Sequence, residues 1–205
     1  MGAFGMRPVS YGSYLYNTGG FEEFKIADNT ATSIYTGDLV LLTNDGVITR
    51  YLDSTNSAGG PTPGTGAPTA PALGVFVGCR YTDTAGTPQW NQYYPGGAGT
   101  DAAGFVVTDY NAVFSMKSGV AWNDDLVGES CDITVVGDGS PAGDGGDTAT
   151  GLSYNTLDTA GTTQLSVRII GCPKDGKNES TSSDATIYVR WSSPTCVTYG
   201  YQTSV

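Results

Sequence analysis

Residues 37 to 53 read GDLVLLTNDGVITRYLD, two runs of β-forming residues that meet at Asn44-Asp45-Gly46. An Asp-Gly step readily supplies the positive φ angles of a tight hairpin, so this stretch predicts two antiparallel strands with side chains alternating between faces. The rest of the chain follows the same grammar. Thirty glycines and ten prolines interrupt it so often that no amphipathic helix longer than about two turns can be placed. FKIAD and TSIYT, within residues 24 to 36, alternate apolar and polar positions as two strands. LGVFVGCRYT predicts a strand, followed through a Gly-Thr-Pro turn by a second one ending at Tyr94. AGFVVTDYNAVFSMKSG reads as a pair of strands about Asp109-Tyr110-Asn111, and SCDITVVG, TQLSVRIIG and ATIYVRW complete the set. No repeat of fixed period emerges. The expectation is an all-β fold, a barrel or sandwich of short antiparallel strands.

Two segments cannot contribute a core. Residues 54 to 72, STNSAGGPTPGTGAPTAPA, are low-complexity and predict a long surface loop, and residues 137 to 150 predict a second loop rich in Gly and Asp. Residues 1 to 20 carry Phe4, Met6, Val9, Tyr11, Tyr14, Leu15 and Tyr16 among five glycines, with no helical spacing and no acidic residue. This predicts an extended N-terminal arm that buries its apolar side chains on a neighbour. Pro8 restrains itself and Arg7, fixing a bend, so that Met6, Arg7, Pro8, Val9 and Tyr11 become the docking residues. On this reading residues 21 to 205 form the β-rich domain, and removing residues 2 to 16 abolishes docking while the core stays folded.

Composition excludes several functions. Nine basic residues against twenty acidic ones, a formal charge of -11, cannot neutralise a run of phosphates, which argues against a nucleic-acid partner. No run approaches the roughly 20 apolar residues of a transmembrane helix, so no membrane partner is expected. Thirteen Tyr and three Trp argue that the chain packs, despite its charge. Cys79, Cys131, Cys172 and Cys196 lie far apart, without zinc or redox spacing, and predict buried thiols. The N-terminus lacks an apolar run of signal-peptide length, which favours synthesis in a reducing cytoplasm and makes the Asn178-Glu179-Ser180 sequon a chance tripeptide.

Histidine is absent, which removes the usual general base and the commonest neutral metal ligand. No nucleophile elbow, phosphate-binding loop or dinucleotide fingerprint is present. A carboxylate pair could still hydrolyse a glycosidic bond, with Glu22, Glu23, Asp83, Asp124 and Asp125 as candidates by type. Adjacent strand residues point to opposite faces, however, so Glu22 and Glu23 would not converge. Asp138, Asp144 and Asp147 resemble a calcium loop in composition alone and read as a solvated acidic loop. No catalytic residue, metal site or cofactor is expected, and the chain does not read as an enzyme.

The segment YTDTAGTPQWNQYYP, residues 81 to 95, instead gathers four aromatic rings. Rigid aromatics favour interfaces, which makes Trp90, Tyr93 and Tyr94 contact candidates, although Tyr93 and Tyr94 face opposite ways on a strand.

FGMRPV at 4 to 9, FKIADNTATSIYTGDLV at 24 to 40, LGVFVGCRYTDTAGTPQWNQYYP at 73 to 95, FVVTDYNAVFSM at 105 to 116 and LSVRIIGCPKDGKN at 165 to 178 resemble, in order, virion structural proteins of tailed phages, marine phages and cyanophages among them. The resemblance is to head decoration, or cement, proteins. It implies a small β-rich protein made in the host cytoplasm and added to the outer surface of the capsid, where it clamps neighbouring subunits of the major capsid protein beside further copies of itself. The competing reading is a tail or surface carbohydrate-binding module that recognises a receptor, since exposed Trp and Tyr also stack on sugars.

Overall fold

The computed structural model describes residues 3–10, 20–27, 30–51, 72–97, 99–119, 123–134, 145–158, 167–173 and 185–192. In chain order the strands are β1 (Arg7–Ser10), β2 (Glu22–Ile26), β3 (Leu39–Leu42), β4 (Val47–Arg50), β5 (Gly74–Asp83), β6 (Pro88–Asn91), β7 (Gly99–Val107), β8 (Val113–Lys117), β9 (Ser130–Thr134), β10 (Gly146–Asp147), β11 (Leu152–Ser153), β12 (Thr156–Asp158), β13 (Val167–Gly171) and β14 (Thr186–Trp191). Among the described residues the helical content is a single 3-10 turn, Asp124–Leu126. The protein is all-β, and no helix among these residues is long and apolar enough to cross a membrane.

Five strands close into a barrel. The order runs β3-β4-β2-β7-β5, and β5 returns to pair with β3, while β6 lies outside the ring on β5. Every pairing is antiparallel except β2 with β4. The second sheet runs β1-β8-β14-β13-β9-β12, all antiparallel, and a bridge from Ser118 to Leu157 draws its far edge back toward β8. Ile26, Val40, Ile48, Phe76 and Val106 fill the barrel. Leu39, Val75 and Val107 point the other way and pack with Phe114, Met116, Ile187 and Val189 of the second sheet. Strands β3, β5 and β7 therefore bury both faces, which is why they read as continuous apolar runs where a one-sided strand would alternate.

The hairpin at residues 37 to 53 forms as expected, with Leu42 opposite Ile48. Its turn differs from the expected one. Gly46 alone takes a positive φ, 73°, with its N–H donating to the Thr43 carbonyl at 3.0 Å, while Thr43 N–H and Oγ1 both donate to the Val47 carbonyl. This is a longer loop ending in one left-handed glycine. Two other expectations are corrected. The TSIYT strand reduces to isolated bridges at Ile34 and Thr36, and the strand expected to reach Tyr94 stops at Asn91, with Tyr94 bridged singly to Ile34. The pair of strands about Asp109-Tyr110-Asn111 forms as β7 and β8, which do not pair with each other, since β7 belongs to the barrel and β8 to the second sheet.

The N-terminal expectation changes most. Met6, expected to dock on a neighbour, is fully buried in the cluster between the sheets, and Arg7–Ser10 pairs with β8. Gly5 and Gly37, with φ of 66° and 93°, cross so closely that a Cβ on either would meet the other segment's backbone at 2.6 Å. That contact, with the Met6 N–H donating to the Gly37 carbonyl at 3.0 Å, delivers the Met6 side chain into the core. Removing residues 2 to 16 would strip core and edge strand together, so it cannot leave the core intact. Tyr11 and the loops at 54–71 and 137–144 lie outside the described residues; of the second loop, residues 145–150 are described and carry β10.

Candidate docking surface

The aromatic segment divides between inside and outside. Asp83 builds its turn: one carboxylate oxygen accepts the N–H groups of Ala85 at 2.9 Å and Thr87 at 2.8 Å, and the other accepts the Gln89 amide at 2.8 Å. The Thr87 N–H and the Gln89 amide, more than the remaining contacts, hold this exposed carboxyl below its ordinary range. Beyond the turn β6 pairs with β5, placing Trp90 opposite Arg80. Tyr81 and Tyr94 meet edge to face at 5.7 Å inside the barrel, and the Tyr81 hydroxyl accepts from the Asn91 amide. Tyr94 is thus a core ring and no contact candidate. Tyr93 is half-buried and stacks on Tyr35 at 5.3 Å. Trp90, 70% exposed, is the ring that faces solvent.

Trp90 has company that the sequence did not announce. It stacks on Phe105 of β7 at 6.0 Å between centroids and 16° between planes, and Phe105 in turn touches Phe21, itself 43% exposed, at 5.0 Å. The three rings come from β6, β7 and the residue before β2. Gly78 lies between: the β5 ladder slips there, and a Cβ at Gly78 would meet the Asn91 carbonyl at 3.2 Å and the Phe105 ring at 3.8 Å. The glycine relieves the close approach of the Asn91 carbonyl of β6, while the Phe105 ring lies at ordinary van der Waals distance. Beside the strip the Arg80 Nε donates to the Glu23 carboxylate at 3.0 Å, and a terminal nitrogen of the same guanidinium reaches the same oxygen. An exposed, pre-assembled row of three rings with a charged pair at its rim is the composition of a contact surface.

A buried polar cluster that sequence reasoning missed lies at the start of β3. Asp38 is fully buried and its carboxylate lies 3.0 Å from the Arg50 Nε. The same carboxylate accepts the Tyr35 N–H at 2.8 Å, the Ser153 hydroxyl at 2.6 Å and the Asn155 amide at 3.3 Å. The Arg50 guanidinium sits 5.9 Å from the centre of the Tyr35 ring. Gly146 flattens against that ring, where any Cβ would overlap it. Barrel and β10–β11 hairpin are thereby joined through one carboxylate, and Tyr35 passes the constraint to Tyr93. The cluster is sealed from solvent, so it holds the scaffold and offers no access to a substrate.

The remaining candidates lie scattered. Val9 is 51% exposed and Arg7 is exposed on β1, with Pro8 half-buried. Glu23 is tied to Arg80, while Asp124 and Asp125 sit on the 3-10 turn. Asp147 accepts the Thr150 hydroxyl and the Ala149 N–H, which lower its pKa. No group of three His, Cys, Asp or Glu gathers around a possible metal position among the described residues. Cys79 and Cys131 are buried thiols, and burial pushes the Cys79 thiol up to about 12. Cys196 lies outside the described residues.

No family model matches the chain, and no curated protein or solved structure is significantly similar to it.

Proposed function

We propose that the protein is a virion structural component of a tailed phage, a head decoration or cement protein. In this reading it is synthesised in the host cytoplasm and docks on the outer surface of the capsid, where it binds the major capsid protein beside copies of itself and catalyses no reaction. The observation that carries the reading is the exposed strip Phe21–Phe105–Trp90, held on a closed barrel wall. Rigid rings lose little entropy on docking, and a scaffold with both faces of its central strands buried has little freedom to lose. The acidic surface supports the same reading, because it keeps free copies soluble before a shell is present.

The test is binding of purified protein to empty shells of the parent phage, comparing the native chain with Trp90→Ala. A central ring of this kind contributes about 2 kcal/mol or more, so the substitution should weaken binding on the order of 30-fold. Equal binding by both proteins would move the contact elsewhere. A second reading, a carbohydrate-binding module of the tail or virion surface, draws on the near-parallel Trp90 and Phe105 rings, a flat platform of the kind that stacks on a sugar. It predicts retention on immobilised glycans that Trp90→Ala abolishes, with no binding to shells.

A further inference from the structure

On the second sheet, away from the aromatic strip, Arg168 of β13 and Arg190 of β14 stand directly opposite one another. Like charges facing across a ladder repel, and this chain has only nine cations among its 205 residues. The Arg168 Nε donates to the Gly128 carbonyl at 3.0 Å, and the Arg190 guanidinium has no hydrogen-bond or ion-pair partner among the described residues. The two arginines line a shallow cleft of about 330 Å³ with Val127, Gly128, Ile169 and Ile170. Val127 is 48% exposed and Ile170 42%, the latter turned out where the β13–β14 register slips.

The segment that leads into the same cleft is acidic. The 3-10 turn that leads into Val127 carries Asp124 and Asp125, both exposed, and neither makes an ion pair with Arg168 or Arg190 within the chain. Gly128 fixes the separation. Its φ of 94° turns the backbone so that its N–H donates to the Ile169 carbonyl at 3.0 Å, which clamps the acidic turn beside the arginines. This region therefore presents two arginines and two aspartates with no ion pair among the described residues, Asp125 accepting the Asn123 amide at 3.1 Å, together with two exposed aliphatic side chains. A two-fold axis through such a patch lays the anions of one copy on the cations of the other, and the aliphatic side chains against their equivalents.

We propose that this face is a homotypic two-fold interface: Asp124 and Asp125 of one copy pair with Arg168 and Arg190 of a second, around Val127 and Ile170. The inference rests on this patch alone and holds whether or not the protein docks on a capsid. Charge complementarity selects a second copy as occupant, because a partner of uniform charge would satisfy the arginines or the aspartates and repel the other pair. Being small and charged, the contact is salt-sensitive and gains weight where copies are crowded.

Sedimentation velocity over a concentration series tests it with the full chain. The native protein should shift from monomer toward dimer as concentration rises, and high salt should reverse the shift. The variants Arg168→Glu/Arg190→Glu and Asp124→Lys/Asp125→Lys should each remain monomeric. An equimolar mixture of the two should dimerise again, since each restores the charges opposite the other. Native near-ultraviolet circular dichroism in both variants excludes misfolding. A native chain that stays monomeric throughout, or a mixture that fails to associate, overturns the proposal. Dimerisation unaffected by either double substitution does so equally.

Discussion

The barrel contains two carboxylate–arginine pairs made of similar groups in opposite surroundings. Asp38 and Arg50 have side chains with no exposed surface, whereas Glu23 and Arg80 keep 46% and 42% of theirs. Water solvates the second pair nearly as well apart as together, and its net worth is about 0 to 1 kcal/mol. For the first pair separation has no such refuge. The Asp38 carboxylate is satisfied only because Tyr35, Ser153 and Asn155 converge on it with Arg50, and deleting one member strands a buried charge. The inner pair therefore specifies where the β10–β11 hairpin sits, while the outer pair edges the aromatic strip and is free to exchange partners. A scaffold fixed from inside can present a surface whose own contacts are weak.

The largest expected effect is at the inner pair. Asp38→Ala should cost about 3 to 5 kcal/mol, read as a lowered urea midpoint with an unchanged slope. Met6→Ala should cost about 2 to 5 kcal/mol, because it opens a cavity between the sheets; a neutral result would mean that the N-terminal strand does not belong to the core. Glu23→Gln should change stability by less than about 1 kcal/mol, and by less still in high salt. Trp90→Ala should leave stability within about 0.5 kcal/mol while weakening docking about 30-fold, the sharpest separation of scaffold from surface. The smallest effect concerns Asp83. Its pKa is lowered from 3.8 in the folded state, so the stability it adds is present above that value and is lost as pH falls through the lowered one. Lower protection factors at Ala85 and Thr87 in acid, with the barrel still protected, should report the loss; Asp83→Asn should remove the pH dependence.

Legibility followed the range of the interactions. The Asn44-Asp45-Gly46 hairpin and the turn before Pro88 are local, and their residues announce them, although the left-handed position of the first fell on Gly46 alone and the part Asp83 plays in the second shows only in the structure. The strands were legible from their β-forming runs, but the division of β7 and β8 between two sheets was not, since periodicity carries no record of partner choice. Met6 read as an arm residue because the Gly5–Gly37 crossing that buries it joins distant segments. At the candidate surface Trp90 stood out by its neighbours in sequence. Phe21 and Phe105 did not, because they become its neighbours only when β2, β7, β5 and β6 come side by side. Asp38 and Arg50 carry no signal in the sequence beyond their place at the two ends of a hairpin, and only the fold seals them together.

The most direct test of the proposed role is co-sedimentation of the purified protein with empty capsid shells of the parent phage, scored as copies per shell. Docking on a repeating lattice predicts saturation at a fixed ratio to the major capsid subunit, with Trp90→Ala failing to reach it. Absence of binding, or saturation at a few copies per particle, would contradict a decoration role and turn attention to the glycan reading of the same rings.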